Sequence, residues 1–256
     1  MSPPTSPVPA TPATIDEAEV VLGAKNPVGS NAAPGSQDNN CFLPPLTGMH
    51  PSTVEVVDLQ VPAKAQKEYE DGCADVRNKK MADAETHLRK VVKAYAKYAA
   101  AWVLLGQILE ARQKTEEARD ACSHPLTSAA NYLPAYMCLV DISARLKHWD
   151  EVLKLSARAL EIDPAANAAA YAYNATAALN LGHLNDAEKS ALRASEIDSK
   201  HSEPRLLYLL AQIYAAKGDR ANLMAQLREY LKFSRDPDDA VAVRSYLAKL
   251  EGQSGK

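Results

Sequence analysis

The chain has 256 residues, with 29 Lys plus Arg against 32 Asp plus Glu and a formal net charge of −3. From residue 58 onward the counts are 28 and 27, so that part presents no field that would gather nucleic acid or an anionic membrane surface. No apolar run reaches the roughly 18 residues that a membrane span needs.

Residues 1–52 read as a disordered tail rich in Pro, Ser and Ala. Eleven of the 16 prolines lie in the first 62 residues, and the first 57 contain one lysine and five acids. Such a stretch cannot bury enough apolar surface to offset its ordering entropy. Within it, "CFLPPL" at 41–46 is an apolar, proline-containing island, open to two readings: a short docking motif for a partner or for the chain itself, or a linker with incidental apolar residues. The N-terminus lacks the basic start and apolar stretch of a signal peptide, which reads as cytoplasmic. A tail of this composition also follows cleaved signals in exported bacterial proteins, so a periplasmic location is the expectation if an upstream signal is missing. Residues 53–62, with their alternating valines, read as an extended lead-in segment.

From residue 63 to 237 the sequence repeats itself. One pattern begins near Ala65, Ala99, Leu133, Ala168 and Pro204, at steps of 34, 34, 35 and 36 residues. A large residue stands in the first turn of a first helix (Trp102, Tyr136, Tyr171, Leu207, with Glu68 a poor match). A small one follows four residues on (Gly72, Gly106, Ala175, Ala211, with Val140 breaking the rule). A second helix places Ala84, Ala118, Val152, Ala187 and Leu223 at its close-contact position. Gly182 and Gly218 stand where a helix must end, and Pro134, Pro164, Pro204 and Pro237 fall at junctions between helix pairs. Pro125 falls inside an expected second helix, which it should bend or shorten. One helix pair cannot cover its own apolar face, so neighbouring pairs must stack. Residues 238–252 read as an Asp-capped helix whose Val243, Leu247 and Leu250 cover the last pair.

These positions resemble the tetratricopeptide repeat family, in a chain of bacterial type. The resemblance implies an all-α, right-handed superhelical solenoid of about five helix-turn-helix repeats, acting as a non-catalytic scaffold for protein interactions. It also implies that a protein or peptide partner lies along the first helices, in a concave groove. Carried over residue by residue, the groove positions are Tyr69 and Cys73, Val103 and Gln107, Met137 and Asp141, Ala172 and Thr176, and Tyr208 and Gln212. Family members that bind chaperone C-termini clamp a carboxylate with Lys, Asn and Arg at such positions. None stands in them here, so that partner class is not expected.

Nothing in the sequence nominates a catalytic residue, cofactor or metal ligand set. The six histidines are scattered without HExxH spacing, and no GxSxG, Walker-type or GxGxxG pattern occurs. Cys41, Cys73, Cys122 and Cys138 show no CxxC or zinc spacing and read as unpaired small apolar residues. Asn174 sits in a formal glycosylation acceptor, "NAT", but its register places it on the inter-helix side.

Overall fold

The computed structural model describes residues 41–46, 61–164 and 168–252. The tail at 1–40 and 47–52, and the lead-in apart from Val61 and Pro62, lie outside the described residues. Eleven α-helices follow one another: α1 (Ala63–Arg77), α2 (Met81–Ala94), α3 (Ala99–Ala111), α4 (Thr115–Ser123), α5 (Leu133–Arg145), α6 (Trp149–Ile162), α7 (Ala168–Asn180), α8 (Leu184–Ile197), α9 (Arg205–Lys217), α10 (Arg220–Phe233) and α11 (Pro237–Gly252). Each helix packs on the next, and α3, α5, α7 and α9 also touch in sequence, so the first helices of successive pairs form one face of the stack.

The small positions let each pair close. Ala84, Ala118, Val152 and Ala187 are completely buried, as are Ala175 and Val140. At Gly106 the fit is tightest: a Cβ there would stand 2.3 Å from Cys122 Sγ and 3.1 Å from the Ala118 carbonyl oxygen. The core forms two large clusters and a small one, the two large ones meeting at Leu153, and α11 closes the second, its Val243, Leu247 and Leu250 buried against the last pair. Asp236 caps α11, its Oδ1 accepting from the Asp238 and Asp239 amides at 3.0 and 3.3 Å.

The turn between paired helices is the same five times. Residues 79, 113, 147, 182 and 218 have positive φ, at steps of 34, 34, 35 and 36, the period of the sequence pattern. In each case two amides close back on the preceding helix, for example Gly182 N–H to Leu179 O at 3.0 Å and His183 N–H to Ala178 O at 2.8 Å. Glycine supplies the left-handed residue only at Gly182 and Gly218, while Lys79, Gln113 and Lys147 adopt it at φ 57° to 61°. That conformation costs a side-chain-bearing residue about 1 kcal/mol. Replacing those three by glycine is therefore expected to raise stability by up to about 0.5 kcal/mol each, after glycine's greater unfolded-state entropy is subtracted. Thermal melts of the triple variant test this, and an unchanged or lower midpoint would contradict it.

The junctions between pairs have their own device. The first-turn aromatics reach back to the preceding loop: Trp102 Nε1 donates to Ala96 O at 2.7 Å, Tyr136 Oη to Ala130 O at 3.0 Å and Tyr171 Oη to Pro164 O at 3.2 Å. Leu207 has no donor, and there Asp198 takes over, accepting from the Ser202 and Glu203 amides at 3.0 and 2.8 Å. Pro125 ends α4 after 9 residues, where α2, α6, α8 and α10 each run 14. The chain continues as a 3-10 turn over His124–Thr127, which seats the His124 ring 4.0 Å from Trp102.

Candidate functional site

The groove positions separate into two rows. In the first, Tyr69, Val103, Met137 and Ala172 are buried in the core, at 1% exposure or less, and present no surface to a partner; Tyr208 is half-buried, its ring 5.9 Å from that of Tyr230. The physical reason is the stacking itself. An apolar residue on the inner side of a first helix is covered by the neighbouring first helix, so the apolar row holds the stack together.

The second row lies nearer the surface and is polar. Asp141 accepts from Tyr173 Oη at 2.6 Å and from Arg145 Nε at 2.9 Å. Burial pushes the Tyr173 hydroxyl well above its ordinary pKa, and the Asp141 charge and hydrogen bond add to the effect, so it stays a donor. Thr176 Oγ1 donates to Ala172 O at 2.8 Å. Gln212 is half-buried. Tyr173 had no place in the sequence-derived set. Its one signal is that it stands 32 residues after Asp141, near the repeat period, which puts the two on adjacent first helices.

Cys73 and Gln107 are taken up by the chain's own residues 41–46. The Gln107 amide grips Leu43 on both sides: Leu43 N–H donates to Oε1 at 3.0 Å, and Nε2 donates to Leu43 O at 2.8 Å. Phe42 and Leu46 are buried in the solenoid core. Leu43 to Leu46 closes a turn through a 2.9 Å hydrogen bond, with a cis bond between Pro44 and Pro45. Of the two readings of the island, docking on its own chain is the one observed. A cleft of about 150 Å³ remains beside it, bounded by Pro44, Leu46, Glu110, Asp141, Ile142 and Arg145.

The expectation of unpaired cysteines is corrected. Cys41 is bonded to Cys73, and Cys122 to Cys138. Absence of CxxC spacing argues against metal and redox-motif pairs, but these bridges join residues 32 and 16 apart in sequence, whose Cα atoms the fold brings to 5.6 and 5.9 Å. The first bridge ties the docked segment to α1, so Cys73 is not a free groove residue. The second joins α4 to α5 across a repeat boundary and is buried, with Cys122 and Cys138 at 0% and 2% exposure.

The docked segment is close to energetic balance without its bridge. Burying Phe42 and Leu46 contributes about 2 kcal/mol each, and the two Gln107 bonds about 1 kcal/mol each. Ordering six residues costs about 1 kcal/mol apiece in backbone entropy. Asn174 does lie between helices, donating to Ser156 Oγ at 3.1 Å and accepting from Ser190 Oγ at 2.8 Å. Among the described residues no group of three or more His, Cys, Asp or Glu could hold a metal ion, and no helix is long and apolar enough to cross a membrane.

The helix order, the paired packing and the repeating turn are those of a tetratricopeptide-repeat solenoid, and solved structures agree. MamA from Desulfovibrio magneticus RS-1 matches at a TM-score of 0.61 and 16% identity, over 70% of this chain and 99% of that one. TTC0263, a tetratricopeptide-repeat protein of Thermus thermophilus, matches at 0.54 and 17%, over 73% and 98%. YrrB, described as a tetratricopeptide-repeat protein with an unusual peptide-binding site, matches at 0.57 and 17%, over 70% and 90%. At these identities the likeness establishes the fold alone. No protein-family model and no curated protein matches the sequence.

Proposed function

We propose that this protein is a non-catalytic scaffold that binds an extended peptide along the face formed by its first helices. One observation carries the reading: Gln107 already clamps the main chain of Leu43 through both its N–H and its C=O. A side-chain amide that pairs with both groups of one residue recognises backbone and leaves specificity to flanking pockets. The polar row continues from Gln107 through Thr176 to Gln212, beyond the segment occupied in cis. Asp141 in that row opposes a carboxylate ligand, so chaperone C-termini remain unsuited as partners, and the near-neutral charge disfavours nucleic acid.

Photocrosslinking in the native cell tests the reading. Gln212→p-benzoylphenylalanine is expected to give a discrete protein adduct, whereas the same replacement at Arg158, on a second helix, is not. Adducts from Arg158 alone would move the interface to the outer face.

A second reading, a structural subunit of an exported or envelope-associated assembly, is favoured by the two disulfides, which persist in oxidising compartments. It requires the same adduct to be recovered from the periplasmic or envelope fraction; recovery from the cytosol rejects it.

A further inference from the structure

We propose that the face of α1, α3 and α5 is a docking surface for an uncharged, proline-containing apolar segment of another protein, of the Phe-Leu-Pro-Pro-Leu kind. Its resident competitor is Cys41–Leu46, held in place by the Cys41–Cys73 disulfide and released by reduction. The inference rests on the peptide-binding reading above and adds both the ligand's chemistry and the control of access.

The surface shows its own specificity through what occupies it. Two apolar side chains, Phe42 and Leu46, are buried, and between them one main-chain residue is clamped by Gln107. The segment from Cys41 to Leu46 contains no charge. A segment of the same pattern supplied in trans would satisfy the same groups, and it competes with a resident whose advantage is its tether.

That advantage is large while the bridge is closed. With the bridge open, the resident keeps only its own contacts and its covalent connection to α1, and competes as an intramolecular ligand. Its own contacts then roughly match the entropy of ordering it, so an incoming segment can win. The two bridges also differ in access. Cys41 is partly exposed, whereas Cys122 and Cys138 are buried in the α4–α5 contact. A dithiol reductant would therefore open the first bridge and spare the second. One of its thiolates attacks Cys41 Sγ and expels Cys73 as thiolate. The second then closes the reductant's own disulfide and frees Cys41, so two electrons and two protons pass to the cysteine pair.

The test uses the full chain and a fluorescein-labelled peptide of residues 39–49 carrying Cys41→Ser, followed by fluorescence anisotropy. Binding to the protein treated with dithiothreitol is expected to be at least tenfold tighter than to the oxidised protein. The Cys41→Ser protein, with Cys122–Cys138 intact, should match the reduced one. Adding Phe42→Asp to Cys41→Ser dislodges the resident and should tighten binding further, and Gln107→Ala in that background should weaken it at least tenfold. Hydrogen exchange on unmutated protein supplies an independent readout: the Leu43 and Leu46 amides should exchange at least tenfold faster after reduction. Equal peptide binding in the oxidised and reduced states, or unchanged exchange, overturns the gate and leaves the groove reading standing. No binding even in the folded Cys41→Ser, Phe42→Asp protein overturns the groove reading with it.

Discussion

Gly106→Ala is expected to be among the most damaging single-methyl changes in the molecule, lowering stability by about 3 kcal/mol. The new Cβ would stand 2.3 Å from Cys122 Sγ, 3.1 Å from Ala118 O and 3.3 Å from Cys122 N. The sulfur cannot swing aside, because it is bonded to Cys138, and the other two atoms are backbone of α4. Relief therefore requires α3 and α4 to separate, which opens a gap lined by Leu105, Leu109 and Ala118, all almost completely buried.

Gly72 occupies the same position in the preceding repeat and makes the opposite case. A Cβ there would meet Leu88 Cγ at 3.4 Å and His87 Cβ at 3.5 Å, ordinary contact distances. Gly72→Ala is expected to be neutral or to gain up to about 1 kcal/mol of helix propensity. Urea unfolding of both variants makes the comparison, and equal midpoints would show that the α3–α4 approach is looser than described. A Gly106→Ala, Cys138→Ser protein should recover part of the loss, since its sulfur can rotate while the backbone contacts stay.

Glu85→Gln is expected to cost about 2 kcal/mol at pH 7. The Glu85 side chain is 7% exposed and receives three cationic groups: Arg112 Nη1 at 2.6 Å, Lys114 Nζ at 2.8 Å and Arg89 Nε at 2.8 Å. Burial pushes this carboxyl up, but the hydrogen bonds from Lys114 and Arg89 and their charges outweigh it, and the group is held below its ordinary value of 4.5. The cluster joins α2 to the turn that ends α3 and opens α4, so it fastens the first repeat to the second. Removing the charge leaves three cations around a neutral group. They are 35% to 45% exposed and can partly rehydrate, which keeps the cost below that of a fully buried pair.

The pH dependence has a definite sign. A lowered folded pKa means that the stabilisation is present above 4.5 and is lost as pH falls through the folded value. The stability gap between wild type and Glu85→Gln should therefore shrink as pH falls from neutral into the acid range, where both carry a neutral side chain. A gap that is constant with pH would assign the loss to packing. By contrast Glu161, 66% exposed and paired with Arg158 three residues earlier, should tolerate Glu161→Gln within about 0.5 kcal/mol.

What was legible in the sequence depended on distance along the chain. The helix pairs, the period and the capping helix follow from residues a few positions apart. Ala118 and Gly106 are 12 apart, and the left-handed turn residues recur at the repeat spacing itself. Even there the signal is partial, since Lys79, Gln113 and Lys147 make the turn that only Gly182 and Gly218 advertise. That the ten groove positions stand on first helices was legible, because helical register is local. Which of them reach the surface was not, because burial depends on the neighbouring repeat.

The sequence by itself determined that this chain is a stack of helix pairs. The spacing of small, large and turn-forming residues encodes contacts within one pair, and repetition forces the pairs together to cover their apolar faces. Only the tertiary structure decided what the stack holds. The Gln107 clamp on Leu43 spans 64 residues and the Cys41–Cys73 bridge 32. Contacts of that reach leave no periodic trace in the sequence, because they exist only once stacking has set the first helices side by side and created the surface on which residues 41–46 lie.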